Sequence, residues 1–304
     1  MSPTCPPPTP VLSLPNTKGV VRNFRAVAGH KKIFRCAAPD NLGEVLTQLG
    51  ANKQQPQADW DEPERTLLYD ATLILDLRME SEIDAKKYRA LTQLAPGGPF
   101  LEVSSLEELK NCTARRQLFC PSGNEGFTRS DLLTHTGNFW VSHTGWDGRD
   151  PAEKAGIMVQ ELNKRGLPGL FEVFLEMKAF MRTVLQSITV HLESNPDGKV
   201  VVHCSIGKDR TGVISMLCSK MLGMEDSDVL NDFSKSIVIR DIAVKKFQKF
   251  FGDNVDSEGF ALSKEEAMRE AITNLLDRYG SIPLYLDSIG FGRDWQTRFR
   301  KAAS

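Results

Sequence analysis

One stretch near residue 200 constrains the fold most, because an apolar run, a glycine-containing loop and a second apolar run follow one another directly. The sequence KVVV leads into HCSIGKDRTG, which leads into VISMLCSKMLG. The first run predicts a buried strand at 200–203, and the second predicts a helix at about 210–222 that Gly223 ends. A strand joined by a tight loop to a helix is typical of a parallel sheet covered by helices.

Other segments show the same alternation of short strands and longer helices. The sequence TLILDL at 72–77 predicts a second buried strand, and 21–40 predicts a short strand or hairpin. Apolar residues at helical spacing predict one long helix at 170–192 that ends before the turn sequence NPDG. We therefore expect an α/β fold with a central, mostly parallel sheet flanked by helices.

The C-terminal third is predicted to be helical. A helix is expected at 241–251. Ser263 and Glu266 have the spacing of a capping box that opens a further helix, and Gly280 is expected to end that helix.

The length of 304 residues favours one domain with additions. Residues 1–19 are rich in proline, which predicts a flexible tail. Residues from 84 to about 145 show poor periodicity and several turn sequences, which predicts an insertion. The expected organisation is a single domain at 20–304 that contains this insertion.

Composition narrows the range of partners and compartments. A net charge of −1 gives no global attraction to nucleic acid. No apolar run approaches the roughly 20 residues that a membrane span needs, so no integral membrane contact is expected.

The six cysteines form no CxxC pair and no dense framework, which favours a reducing compartment and predicts a cytoplasmic location. The spacing of Cys112 and Cys120 matches no zinc pattern, so no metal site is predicted.

The loop after the predicted strand has the chemistry of an anion site. Backbone N–H groups and the dipole of the following helix supply positive potential, and the planar guanidinium of Arg210 fits two phosphate oxygens. Gly207 lacks a side chain where the backbone must turn sharply. A thiol at the base of this loop is favoured as the nucleophilic thiolate, so Cys204 is the candidate nucleophile. Thr211 is expected to donate its hydroxyl to that sulfur, and His203 to hold the loop by local hydrogen bonds.

The sequence HCSIGKDRTG resembles the phosphate loop of the cysteine-dependent protein tyrosine phosphatase superfamily, whose signature is Cys-x5-Arg-Thr. It is closest to the HCxxGKDRTG branch, which contains bacterial-type tyrosine and phosphoinositide phosphatases and eukaryotic relatives. Further segments that look like motifs of this branch are NFR at 23–25, FRC at 34–36, LDLR at 75–78 with Glu82, DFSKS at 232–236, and YGS at 279–281 with YL at 285–286 and Gly290.

The resemblance implies a fold of the tyrosine-phosphatase type and a mechanism without metal or cofactor. Cys204 attacks phosphorus to form a thiophosphate, which water then hydrolyses. The residues implied to bind the substrate phosphate are Ser205, Ile206, Gly207, Lys208, Asp209 and Arg210.

The residue that protonates the leaving group is open among three aspartates. Asp147 comes first, because the pair Trp146–Asp147 in a glycine-rich loop loosely resembles the tryptophan–aspartate loop of the superfamily. Asp150 is a rival, and Asp209 inside the phosphate loop is the third candidate.

The substrate is also open. The leading hypothesis is phosphotyrosine in proteins. The alternative is a phosphoinositide, because Lys208 adds positive charge where a second phosphate could bind. A non-catalytic phosphate-binding module is a third reading, and the presence of both Cys204 and Arg210 counts against it.

Overall fold

The structure is a computed structural model that describes residues 21–27, 30–42, 45–46, 61–95, 97–121, 129–141 and 145–304. The predicted tail at 1–19 lies outside the described residues.

A six-stranded sheet forms the centre of the molecule, in the strand order β1-β2-β6-β3-β5-β4. Strand β1 pairs antiparallel with β2, and all other pairs are parallel. This confirms the predicted α/β fold with a mostly parallel sheet. The strands are Arg25–Ala26 (β1), Ile33–Ala37 (β2), Ala71–Asp76 (β3), Leu101–Val103 (β4), Gln117–Phe119 (β5) and Lys199–Cys204 (β6).

Helices cover the sheet, and within the described residues none of them combines the length and apolar composition that crossing a membrane requires. The α-helices are Glu62–Arg65 (α1), Ala85–Leu94 (α2), Leu106–Asn111 (α3), Arg129–His135 (α4), Pro151–Glu176 (α5), Lys178–Ser194 (α6), Asp209–Met221 (α7), Asp226–Ser234 (α8), Arg240–Phe251 (α9), Ser257–Ala261 (α10), Glu265–Tyr279 (α11), Ile282–Ser288 (α12) and Arg293–Ala303 (α13). Among the elements that lie wholly within the described residues, the π-helices are Thr66–Asp70 and Thr136–Trp140, and the 3-10 helices are Glu80–Glu82 and Lys235–Ile239.

Alternate residues of the central strand β6 face two separate cores. Val200, Val202 and Cys204 lie in the larger core, which helices α5, α6 and α7 build. Val201 lies in the smaller core on the other face. Because side chains alternate along a strand, the period of two places Cys204 on the same face as α7.

Two local predictions are wrong. The single helix expected at 170–192 is interrupted at Met177, whose ψ of 62° leaves the helical region, so two helices meet there. The expected capping box does not form, because helix α11 begins after Lys264 and the hydroxyl of Ser263 is buried without a hydrogen-bond partner.

The segment at 84–145, interpreted from sequence as an insertion, supplies both strands at one edge of the sheet. Strand β5 pairs with β3, and β4 pairs with β5. The three-residue length of each strand explains why periodicity gave no signal for them.

Candidate active site

The loop at 204–210 connects the carboxyl end of β6 to the first turn of α7. Cys204 ends the strand and is 2% exposed, and helix α7 begins at Asp209. Gly207 has a φ of +65°, and a Cβ there would lie 2.1 Å from the carbonyl oxygen of Cys36. The close approach of β2 therefore requires glycine at this turn, as the sequence predicted.

Three consecutive carbonyl groups of the loop are hydrogen-bonded on its outer side. The carbonyl of Gly207 accepts from Arg35 at 2.7 Å and from Asn23 at 2.8 Å. Asn23 also donates to the carbonyl of Ile206 at 3.3 Å, and the carbonyl of Ser205 accepts from a backbone N–H at 3.4 Å. In a trans peptide the C=O and N–H point in opposite directions. The N–H groups of residues 206–208 are therefore directed toward the concave side of the loop.

The arginines behind the loop are fixed by one carboxylate from helix α8. Asp232 accepts from Arg35 at 2.7 Å and from Arg25 at 2.5 Å, and Arg25 also reaches the hydroxyl of Ser236 at 2.9 Å. Burial lowers the pKa of Arg35 to about 10, while the Asp232 carboxylate opposes this shift by favouring the charged guanidinium of Arg35. The separate motifs NFR, FRC and DFSKS thus converge on the back of one loop.

Arg210 is held in a bidentate ion pair with Glu82. Its two terminal nitrogens each donate to one Glu82 oxygen at 2.7 Å, and one of them also donates to the carbonyl of Leu77 at 2.9 Å. Ser205 donates to the same carboxylate at 2.5 Å. Although burial opposes ionisation, these hydrogen bonds and the charge of Arg210 lower the pKa of Glu82 to about 2.

Lys208 lies behind the cavity wall, with a fully buried side chain. Its amine donates to Asp209 at 2.8 Å and to the carbonyl of Phe260 at 2.7 Å, and it lies 5.6 Å from the ring centroid of Phe247. Burial lowers the pKa of Lys208, and Asp209 opposes that shift. The amine does not line the cavity, so the structure does not place it where a second phosphate would sit.

His203 and Thr211 flank the loop, and both are buried outside the cavity. His203 is buried, with Nδ1 3.7 Å from Asp76, and burial lowers its pKa, which favours the neutral ring. Asp76 accepts from Arg78 at 2.8 Å, which forms an ion pair at the end of strand β3. The hydroxyl of Thr211 is buried and has no hydrogen-bond partner among the described residues, so the predicted bond from Thr211 to the Cys204 sulfur is not formed.

The loop forms the floor of a cavity of about 250 Å³. Helix α5 contributes Leu170 and Phe174 to its wall. Floor residues of the loop that line it are Cys204, Ser205, Ile206, Asp209 and Arg210.

Helix α9 forms an aromatic wall of the cavity. Phe247, Phe250 and Phe251 line the cavity, and Lys246 and Lys249 lie on the same wall with exposed side chains. The sequence predicted this helix but gave no indication that it borders the site. An amphipathic helix with lysines and phenylalanines is also typical of an ordinary surface helix, so only tertiary packing identifies its role.

The structure brings one of the three candidate acids to the cavity. Asp209 lines it beside Arg210. Asp147 is solvent-exposed and is not among the lining residues. Asp150 caps helix α5 by accepting from the backbone N–H groups of Ala152 and Glu153 at 2.8 and 3.0 Å. The structure therefore does not support the ranking that placed Asp147 first.

Besides helix α9, sequence reasoning missed the role of Glu82 as the ion-pair partner of Arg210. Its motif was recognised, but the ion pair with Arg210 joins residues 128 positions apart and has no local signature. Among the described residues, no group of three or more His, Cys, Asp or Glu side chains is arranged to hold a metal ion.

A mostly parallel sheet, a cysteine at the end of its central strand and an arginine six residues later define an enzyme of the tyrosine-phosphatase type. A family model described as the tyrosine phosphatase family matches residues 54–303. The chain belongs to this family, as its motifs predicted, and the assignment supports phosphatase activity. A search of curated proteins found no match to the chain.

Proposed function

We propose that this protein hydrolyses phosphotyrosine in proteins through a thiophosphate intermediate on Cys204. The observation that carries the proposal is that Cys204 and Arg210 line the floor of one cavity. The hydrogen-bonded carbonyls on the outer side of the loop support the inference that its backbone N–H groups face the same cavity. Such groups stabilise the equatorial oxygens of a transferring phosphoryl group by electrostatics and positioning.

In the first step the Cys204 sulfur forms a bond to phosphorus while the bond from phosphorus to the ester oxygen breaks. The leaving oxygen takes a proton from a carboxylic acid. In the second step a water oxygen attacks phosphorus, the sulfur leaves as thiolate, and the carboxylate recovers a proton from that water. Inorganic phosphate is the product.

Asp209 is the acid in this proposal. Among the residues that the structure describes, the carboxylates that line the cavity are Glu82 and Asp209. Both oxygens of Glu82 accept from Arg210, whereas Asp209 accepts from Lys208 through one oxygen, which leaves its other oxygen for proton transfer.

A comparison of Asp209→Asn with Asp147→Asn tests this assignment. Rates are measured for aryl phosphates whose leaving phenols range from acidic to weakly acidic. Loss of the acid slows the weakly acidic phenols most, by about 10²- to 10⁴-fold, because their oxygens most need protonation. We expect this steep dependence for Asp209→Asn and a wild-type dependence for Asp147→Asn, and the reverse pattern would assign the role to Asp147.

The aromatic side chains that line the cavity favour phosphotyrosine over the other phosphate esters. Phe174, Phe247 and Phe250 present ring surfaces against which a phenyl group can pack. The sequence-based argument for phosphoinositides rested on Lys208, whose amine lies away from the cavity.

The test is phosphate release from a phosphotyrosine peptide, phosphoserine and phosphothreonine peptides, and soluble phosphoinositides, with Cys204→Ser beside the wild type. We expect release from the phosphotyrosine peptide that Cys204→Ser abolishes. Release mainly from phosphoinositides would replace the proposed substrate. Release that persists in Cys204→Ser would contradict the proposed nucleophile.

A further inference from the structure

The charges around the cavity divide into paired and unpaired groups. Glu82 is paired with Arg210, and Asp209 with the buried amine of Lys208. Within the described part of the chain, Lys246 and Lys249 have no ion-pair partner, although both line the cavity. The charges left uncompensated are therefore positive and lie together on one wall.

Their position on helix α9 is fixed by the aromatic residues between and beside them. Lys246 and Lys249 are three residues apart, so both project from the same face of the helix. Phe247 and Phe251 of the same helix are buried and stack with ring centroids 6.0 Å apart, and Phe247 also lies 5.3 Å from Phe260 of helix α10. This packing holds the backbone that carries the two lysines against the mouth of the cavity.

We propose that Lys246 and Lys249 form a second anion subsite, which binds a carboxylate or phosphate group that the substrate carries beside the phosphate to be cleaved. This inference rests on the proposed function and adds that the preferred substrates bear a second negative group. Two exposed ammonium groups attract such a group from the wall of the cavity, whereas Arg210 lines the loop at its floor.

Helix α9 contains its own control. Lys245 is exposed and precedes Lys246, but it does not line the cavity. Its removal changes the net charge of the helix by the same amount as removal of Lys246. A long-range effect of charge alone would therefore follow from either change, whereas a subsite requires Lys246 and Lys249.

The experiment measures binding in a Cys204→Ser background, so that it does not depend on turnover. The probes are two phosphotyrosine peptides that differ only in their flanking residues, aspartates in one and alanines in the other. A second arm compares a soluble inositol phosphate that carries one phosphate with one that carries two neighbouring phosphates. Kd is measured for each probe with the Cys204→Ser protein alone, with Lys246→Ala added, with Lys246→Ala and Lys249→Ala added together, and with Lys245→Ala added. Lys246→Ala and Lys245→Ala form the charge-matched pair.

We expect the more acidic probe of at least one arm to bind several-fold more tightly, and the arm that shows this preference identifies the source of the second anion. An exposed charge pair contributes about two- to fivefold, so the double substitution should reduce the preference by about four- to twenty-fivefold or remove it. Lys245→Ala should retain it. Because exposed charges are screened, the preference should also shrink as salt is raised from about 0.05 to 0.5 M.

Two results would overturn the subsite. One is equal affinity for both probes in each arm, and the other is an undiminished preference after the double substitution. Failure of the proposed function is a separate result, because it appears as absence of Cys204-dependent phosphate release by the wild-type protein.

Discussion

At the scale of single residues, the turn of the loop at 204–210 depends on one glycine. Gly207 has positive φ and no room for a Cβ beside the backbone of Cys36, whereas Gly223 has a φ of +79° and open space around it. Gly223→Ala should therefore lower the free energy of unfolding by about 1–2 kcal/mol, because alanine disfavours the left-handed conformation. Gly207→Ala should cost more than this in urea unfolding and should also abolish activity, because β2 and the loop must separate.

The pair of variants isolates the close contact from the backbone conformation. Equal losses of unfolding free energy for Gly207→Ala and Gly223→Ala would show that β2 does not constrain the loop.

Also at the residue scale, the ion pair of Glu82 and Arg210 predicts a pH dependence of stability. The pKa of Glu82 is about 2 in the folded protein, against an ordinary value of 4.5. A carboxyl group whose folded pKa is lowered adds stability above its unfolded pKa and loses it as pH falls toward the folded pKa. The contribution is about 3 kcal/mol at neutral pH and should disappear between pH 4.5 and 2.

The measurement is urea unfolding of the wild type and of Glu82→Gln from pH 6 to pH 2. The difference in unfolding free energy between the two proteins should shrink across that window, because groups common to both cancel. Glu107→Gln, which changes an exposed carboxylate on helix α3, is the control. A difference that stays constant with pH would contradict the role of the Glu82 charge.

At the scale of elements, helix α8 holds the N-terminal strands against the loop through one carboxylate. Asp232 is the ion-pair partner of both Arg25 and the buried Arg35. Removing one member of a buried ion pair leaves an uncompensated charge, which costs about 3–5 kcal/mol. Asp232→Asn should therefore lower the free energy of unfolding by this amount in urea. It should also impair activity, because Asp232 holds Arg35, and Arg35 donates to the carbonyl of Gly207 in the loop.

Asp228→Asn on the same helix is the matched control, because Asp228 is exposed. If both substitutions lowered stability equally, the effect would belong to the charge of the helix and not to the two arginines.

The elements also show how far the sequence predicts this site and where it stops. The strand, loop and helix around Cys204 are adjacent in sequence, so apolar periodicity and the glycine locate them within one or two residues. Helix α9 is predicted as an element, but its contact with the cavity depends on how Phe247 packs against Phe260. Nor does sequence separate Asp147 from Asp209, because each follows a plausible turn or loop and only the fold brings Asp209 to the cavity.

At the scale of the whole molecule, the order of strands makes the sheet depend on distant parts of the chain. The central strand β6 lies between β2 and β3, so the site requires residues near 35, 75 and 200 at once. The segment at 84–145 adds β4 and β5 to the β3 side of the same sheet. No contiguous piece of the chain that ends before residue 199 contains the strand that joins the two halves.

This topology predicts cooperative unfolding of the described domain, because loss of β6 removes the partner of both its neighbours. Tryptophan fluorescence, far-UV circular dichroism and phosphatase activity should therefore change at the same urea concentration. Val202→Ala changes a buried residue in the middle of β6. It should lower the free energy of unfolding by a few kcal/mol and move all three midpoints together to a lower urea concentration. If activity or fluorescence were lost at a lower urea concentration than the circular dichroism signal, the two sides of the sheet would be separate folding units.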